Sequence, residues 1–208
     1  MAPSSKARLA VILSQLKSFE LPNPSAEQYQ TESENAAAIC WSAYMNGDIK
    51  DKKIADLGAG NGIFGIACLL LDAKTVYFVD NDPACIKLIK ENLNSLELKL
   101  AEKKKAVLLK MDISEFHQKA DTAVQNPPFG VQKAHADLPF LEAAFKSADT
   151  IYSIHMAESR DWVQARAKEH SFKLTNCAEF PFLLKKSMSH HTKDKVYTQV
   201  ICVRMVRI

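Results

Sequence analysis

The sequence predicts an α/β fold: a seven-stranded, Rossmann-like sheet with N-terminal helices and a terminal antiparallel β-hairpin. Three observations carry this. From residue 53 onward, short β-rich segments alternate with segments of helical period. Such alternation demands a parallel sheet with right-handed crossovers. The chain then closes on two long β-rich segments separated only by a polar, basic loop, the pattern of an antiparallel pair. The 208 residues fit one domain, 1–208. Of these, 1–48 form N-terminal helices and a covering loop, and 49–208 form the core. At 47% hydrophobic and 25% charged the chain is not disordered, and 6 Gly and 8 Pro exclude a collagen-like one.

Each element follows from its own pattern. Leu9, Ile12, Leu13 and Leu16 recur at helical spacing, predicting a helix over about residues 4–18 that Leu21-Pro22-Asn23-Pro24 stops. Glu27 to Thr31 has no period and reads as an ordered loop. Ala36, Ile39, Cys40, Ala43 and Tyr44 predict a second helix ending near Gly47. Strand Lys53–Leu57 and helix Gly62–Leu71 follow, then strand Thr75–Val79. Ile86, Ile89, Leu93, Leu96 and Leu100 predict the next helix. Ala106–Leu109 and Thr122–Val124 are the third and fourth strands. Phe140, Leu141, Ala144 and Phe145 mark a helix, Thr150–Ile154 the fifth strand, and Arg160–Glu169 a helix. Ser171–Phe180 and Val196–Val206 form the hairpin.

Charge excludes little, since 27 Lys+Arg against 24 Asp+Glu give +3, compatible with nucleic acid without arguing for it. The five cysteines include no C-x-x-C pair, and Cys40, Cys68 and Cys85 sit among apolar residues, so buried reduced thiols are expected. The longest uncharged apolar run, Gly62–Leu71, is too short to span a bilayer, and Met1 to Arg8 is polar with no apolar core of a secretory signal after it. No membrane association is expected. The expected location is intracellular: the cytoplasm and, in a eukaryote, also the nucleus.

Asp56-Leu57-Gly58-Ala59-Gly60-Asn61-Gly62 joins the first strand to its helix. A dinucleotide fingerprint needs its third glycine at 63, where Ile63 stands. Asp56 would repel a pyrophosphate but suits the cationic aminoacyl end of S-adenosylmethionine (SAM). Asp80 ends the second strand, where a carboxylate can accept both ribose hydroxyls. Asp112 follows the third strand at the same sheet edge and can take an adenine amino group, with the Ile113 amide facing the ring.

Asn126-Pro127-Pro128-Phe129 follows the fourth strand and opens onto that edge. It fits methylation of an exocyclic amine on a planar base. The lone pair of such a nitrogen is delocalised into the ring. Two acceptors taking its two N–H groups pull it toward tetrahedral geometry; the Asn126 side-chain oxygen and the Pro127 carbonyl can do so. The prolines hold the carbonyls rigidly, which is preorganisation. Phe129 offers a flat face for an unstacked base.

A terminal hairpin on such a sheet is the pattern of the seven-stranded class I SAM-dependent methyltransferases. Asp-x-Gly-x-Gly-x-Gly with Asn-Pro-Pro-Phe resembles the amino-group methyltransferases broadly. Glu27-Gln28-Tyr29 with Thr31, the glycine loop, Asn126 to Gly130 and Tyr152-Ser153-Ile154-His155 resemble one family more closely. This is the methyltransferase-like protein five family of archaea and eukaryotes, which makes N6-methyladenosine in small-subunit ribosomal RNA. The resemblance covers nearly the whole chain. It implies SAM contacts at Gln28, Tyr29, Thr31, Gly58, Asn61, Ile63, Asp80, Asp112 and Ile113, beside Asp56 and Gly60 of the glycine loop, and catalysis at Asn126 to Phe129. It also implies a heterodimer with a small zinc-binding activator protein, which adds a strand at the apolar edge strand 106–109. Ala59 and Asn61 stand where relatives carry other small residues, and the basic segment before the last strand is less regular.

His155 ends the fifth strand near Asn126 and reads more readily as a structural histidine than as a substrate contact. Lys185, Lys186, Lys193 and Lys195 in the hairpin loop could hold RNA phosphates, or the loop could simply be solvated. His190-His191 lacks partners at metal spacing, so no metal is expected. Two other functions stay open: a glutamine-N5 protein methyltransferase and a catalytically silent RNA-binding subunit. The first shares Asn-Pro-Pro but usually carries Tyr next and a separate substrate domain. Intact Asp56, Asp80 and Asn126 argue against the second.

Overall fold

Seven strands form one sheet: β1 (Lys53–Leu57), β2 (Thr75–Asp80), β3 (Lys105–Lys110), β4 (Thr122–Gln125), β5 (Thr150–Met156), β6 (Phe172–Lys185) and β7 (Lys195–Arg207). Their spatial order is β3-β2-β1-β4-β5-β7-β6. The structure, a computed structural model, describes residues 3–19, 31–96, 105–129, 136–185 and 195–208. The first five strands in this order of the chain pair in parallel, and β7 runs antiparallel to both β5 and β6. This is the predicted architecture, hairpin included.

Among the described residues six α-helices cover the sheet: α1 (Lys6–Leu13), α2 (Ser33–Met45), α3 (Ile63–Leu70), α4 (Pro83–Ser95), α5 (Leu138–Ser147) and α6 (Arg160–Glu169). Leu9, Leu13, Ala36, Cys40, Ile66 and Ile89 build one buried cluster against Val76 and Phe78, so α1 to α4 share a face. Leu141, Phe145, Val163 and Ala167 build the other against Ala55 and Ala123, placing α5 and α6 opposite. The α3 segment is apolar on every side because all but its last residue is buried. Asp82 caps α4, its carboxylate accepting from the Ala84 amide at 2.8 Å, and Pro83 occupies the first turn, where a missing N–H costs nothing. Cys40, Cys68, Cys85 and Cys202 are buried and Cys177 is half-buried; all five are free thiols.

Two boundaries differ from expectation. The first helix ends at Leu13 rather than near residue 18. The Ser14 hydroxyl donates to the Val11 carbonyl at 2.9 Å, competing with the helical ladder. Leu16 nevertheless stays buried on the turn that follows. The hairpin strands run longer than their apolar pattern, pairing from Phe172↔Arg207 to Lys185↔Lys195 with a bulge between Leu174 and Asn176. Once two strands are in register, backbone pairing continues through polar residues. The predicted continuation of α4 to Leu100 lies outside the described residues. No helix among them is long and apolar enough to cross a membrane.

The strand order reverses between β1 and β4. Their C-terminal loops therefore part and leave a crevice, which is where open α/β sheets bind ligands.

Candidate active site

The crevice is a cavity of about 660 Å³ at the C-terminal edge of the sheet. Each wall comes from the end of a different strand. Gly58 and Gly60 follow β1, Asp80 to Pro83 follow β2, and Met111, Asp112 and Ile113 follow β3. Asn126 and Pro128 follow β4, Pro139 and Phe140 open α5, and Phe19 closes the N-terminal side.

The β1 turn has to be glycine. Gly58 and Gly60 hold φ of 70° and 57°, the left-handed region that residues with a Cβ resist. A Cβ on Gly58 would also lie 2.7 Å from the Phe140 ring. The turn is pinned from β2: the Gly58 and Ala59 amides donate to the Val79 carbonyl at 2.9 and 3.0 Å.

Asp80 sits where the sequence puts it. One oxygen accepts from the Gly60 amide and the other from the Asp82 amide, both at 2.9 Å. These bonds lock the carboxylate plane on the cavity wall, where the Cys85 thiol is a further hydrogen-bond partner. Burial raises its pKa above the usual carboxylate value, against the pull of those amides. Asp112 is exposed and held below its usual value by the Ser114 hydroxyl (2.6 Å) and amide (3.0 Å). Ile113 begins a short 3-10 turn and is buried.

Asp56, Asn61 and Ile63 lie beneath the loop rather than on the cavity wall. Asp56 is 1% exposed, and its carboxylate accepts from the Gly65 amide at 2.8 Å, tying β1 to the first turn of α3. Burial raises its pKa well above the usual value. Asn61 is 3% exposed. Its side chain accepts from the Ile63 amide and donates to the Lys17 carbonyl, both at 3.3 Å. These three shape the turn that presents Gly58 and Gly60.

Asn126 stands at the rim. Its Nδ2 donates to the Thr31 hydroxyl at 3.0 Å, which holds the amide in place, and its other end is the carbonyl oxygen, an acceptor. Thr31 is buried and off the cavity wall, so it meets the tetrapeptide rather than the cavity. Pro127 is buried and Pro128 lines the cavity. The Phe129 ring meets Phe182 of β6 edge to face, centroids 5.3 Å apart at 86°. Gln28 and Tyr29 lie outside the described residues, as do Lys186 and Lys193. Lys185 and Lys195 end the two hairpin strands, opposite one another.

Phe140, Phe19 and Cys85 are among the cavity residues that the sequence did not single out. Phe140 reads there as core of a helix, but it turns onto Gly58. Phe19 is an isolated aromatic beyond a helix, and it reaches the cavity because Lys17 is held by Asn92. The Lys17 amide donates to Asn92 Oδ1 at 2.8 Å, and Asn92 Nδ2 donates to the Lys17 and Asn61 carbonyls at 3.2 and 2.9 Å. Cys85, read as a plain core thiol, lines the wall beside Asp80.

A family model for the methyltransferase small domain matches residues 35–152, from α2 to the third residue of β5, so the class of protein is a small-domain methyltransferase. Similarity extends beyond that stretch. The rRNA N(6)-adenosine-methyltransferase METTL5 of Danio rerio is 31% identical over 92% of this chain and 94% of its own length. The Drosophila melanogaster protein of that name is 31% identical over 92% and 91%. The crystal structure of a Pyrococcus horikoshii protein assigned to the RNA methyltransferases superposes with a TM-score of 0.89 at 37% identity, over 99% of this chain and 98% of that one. The chain belongs to the METTL5 family of methyltransferases.

The cavity fits the cofactor such a fold implies. It offers a locked carboxylate for vicinal hydroxyls at Asp80, and an apolar slot of Val79, Met111 and Ile113 with Asp112 at its mouth for a flat heterocycle. Its volume lies in the range of small-molecule sites.

Proposed function

We propose that this protein methylates the N6 amine of an adenosine in RNA, in a small-subunit ribosomal RNA, with SAM as methyl donor. The observation that carries the reading is Asn126, its amide oriented by Thr31, at the rim of the cavity that Asp80 anchors. SAM, when bound, supplies an electrophilic methyl group on a sulfonium. Everything else falls to this chain's residues. Asp80 accepts the ribose hydroxyls, and Asp112 with the Ile113 amide takes the adenine edge. Asn126 Oδ1 and the Pro127 carbonyl accept the two N–H groups of the target amine, freeing its lone pair. The amine becomes acidic once methylated, so its proton passes to water without a dedicated base. Phe129, braced by Phe182, supports the target base. The hairpin end that carries Lys185 and Lys195, with Lys186 and Lys193, is the phosphate contact we infer. The reading puts the enzyme where ribosomal RNA is, in the cytoplasm and, in a eukaryote, also in the nucleus.

The test is transfer of a tritiated methyl group from SAM to ribosomal RNA, set against DNA and a release-factor protein. Asn126→Ala is expected to lose at least about a hundredfold in rate, as removal of one preorganised contact does, with SAM affinity nearly unchanged. Residual activity above a tenth of the parent rate counts against amine polarisation.

We also propose a partner at β3. Among the described residues this strand pairs with β2 alone, so its other backbone edge carries no strand. Ala106 and Leu108 pack on one face of the sheet and Leu109 on the other, which makes the segment apolar throughout. Such an edge is a template for strand addition, and a small zinc-binding activator is the partner the family resemblance implies. Val107→Lys should block co-purification of that activator. A monodisperse, fully active lone chain, unaffected by Val107→Lys, counts against it.

A further inference from the structure

Beneath the tetrapeptide runs a chain of four polar side chains. Gln125 Nε2 lies 3.0 Å from Ser153 Oγ, Ser153 Oγ 2.7 Å from His155 Nε2, and His155 Nδ1 3.0 Å from Asp137 Oδ2. Gln125, Ser153 and His155 are at most 1% exposed, and the Asp137 side chain is 13% exposed. One consistent set of hydrogens runs along it. The Gln125 amide donates through Nε2, Ser153 accepts there, and the Ser153 hydroxyl is free to give its own proton to His155 Nε2. That nitrogen is then an acceptor, the imidazole proton sits on Nδ1, and Nδ1 donates to the Asp137 carboxylate. One neutral tautomer satisfies every link.

The arrangement resembles a nucleophile–base–acid triad, but Ser153 is fully buried and off the wall of the cofactor cavity, so it is not placed to attack a ligand there. Stability alone does not call for it either: a buried polar chain gains little over an apolar core, and it leaves Gln125 Oε1 buried without a partner. Its endpoints are what stand out. Gln125 immediately precedes Asn126, and Asp137 directly precedes α5, three residues before Phe140. The relay therefore bridges the residue next to Asn126 and the helix that packs against Gly58.

We propose that His155 is a positioning residue: with Ser153 it couples Gln125 to Asp137 and so fixes the distance between the Asn126 acceptor and the Phe140 wall of the cofactor cavity. This rests on the function proposed above. Loss of the relay misplaces Asn126 against a methyl group whose own binding is untouched. A shift of about 1 Å at a reacting centre can cost a hundredfold, so the effect belongs in kcat.

The experiment compares His155→Leu, Asp137→Ala and Asp137→Asn with the parent protein. Three readouts are taken: methyl-transfer kinetics on ribosomal RNA, SAM affinity by calorimetry, and peptide-level hydrogen exchange. For His155→Leu and Asp137→Ala, kcat should fall tenfold or more, with RNA KM and SAM affinity within about threefold. Exchange should quicken in peptides 122–129 and 137–145 and not in β2 or α3. Asp137→Asn retains an acceptor for Nδ1 and should keep kcat near the parent value. If His155→Leu fails to fold, Asp137→Ala carries the same test from a partly exposed position. Unchanged kcat and exchange, or SAM affinity falling in step with kcat, overturns the proposal. If the parent transfers methyl to something other than RNA, the function reading fails, while exchange and SAM affinity still decide the relay.

Discussion

Asp56 is the acid of the glycine loop, and its carboxylate is spent on the Gly65 amide under the turn. Its raised pKa, caused first by burial, has a defined sign for stability. Below about 3.8, the ordinary value, folded and unfolded chains are both protonated and the stability is fully present. As pH rises from there toward the raised folded value, the unfolded chain gives up its proton more readily, and stability falls. Asp56→Asn, which keeps an acceptor for Gly65, should remove this loss. Urea melts at pH 4.5 and 7.5 should show the variant gaining on the parent as pH rises; a gap that shrinks would contradict the assignment. At this scale the sequence was legible where a side chain does one thing in one place. Asp80 and Asn126 announce themselves by following strands. Whether an acid two residues before a glycine points up at a ligand or down into the core is set by the turn's dihedrals. Phe140 was illegible because helical period marks a buried face without saying what buries it.

At the scale of elements, the N-terminal segment is held on the cavity by one residue of α4. Asn92 is fully buried and serves the Lys17 amide and the Lys17 and Asn61 carbonyls together. Asn92→Leu strands the Lys17 amide and the Asn61 carbonyl at roughly 1–3 kcal/mol each, while the Lys17 carbonyl keeps Asn61 Nδ2. For a chain of this size about 1 kcal/mol lowers Tm by 2–4 °C. The melt should therefore drop by several degrees, and SAM affinity should weaken as Phe19 loses its anchor. A variant with an unchanged Tm would show that the segment docks by apolar contacts alone. Strand and helix positions were legible because β-rich runs and 3.6-residue periods alternate without ambiguity from Lys53 to Glu169. Asn92 was not, since a lone polar residue inside a helical pattern looks like its solvent face. The long hairpin was legible as a pair and not in extent, because register rather than residue type carries it to Lys185 and Lys195.

The whole molecule places its two functional halves on either side of the switch between β1 and β4. Asp80 and Asp112 belong to the β1–β3 half, and Asn126 and Phe140 to the half built on β4 and α5. A cofactor in the crevice touches both, so binding should read out as global stability and not only as local order. SAM at a hundred times its Kd should add about 2.7 kcal/mol to unfolding. For this chain length that corresponds to a Tm rise of roughly 5–11 °C. Asp80→Ala removes the paired hydroxyl acceptor at the cost of about 1–3 kcal/mol in affinity. At the same SAM concentration its Tm shift, measured from its own ligand-free Tm, should therefore shrink to a few degrees or vanish; that ligand-free Tm itself falls as the Gly60 and Asp82 amides lose their acceptor. On the proposed mechanism the Asn126→Ala protein should keep the full shift, because that mechanism assigns its side chain to the acceptor amine rather than to SAM. A thermal-shift titration of the three proteins separates the two halves directly. Equal shifts for parent and Asp80→Ala would mean that the β2 carboxylate does not hold the ribose, and the cofactor's orientation in the crevice would have to be reversed.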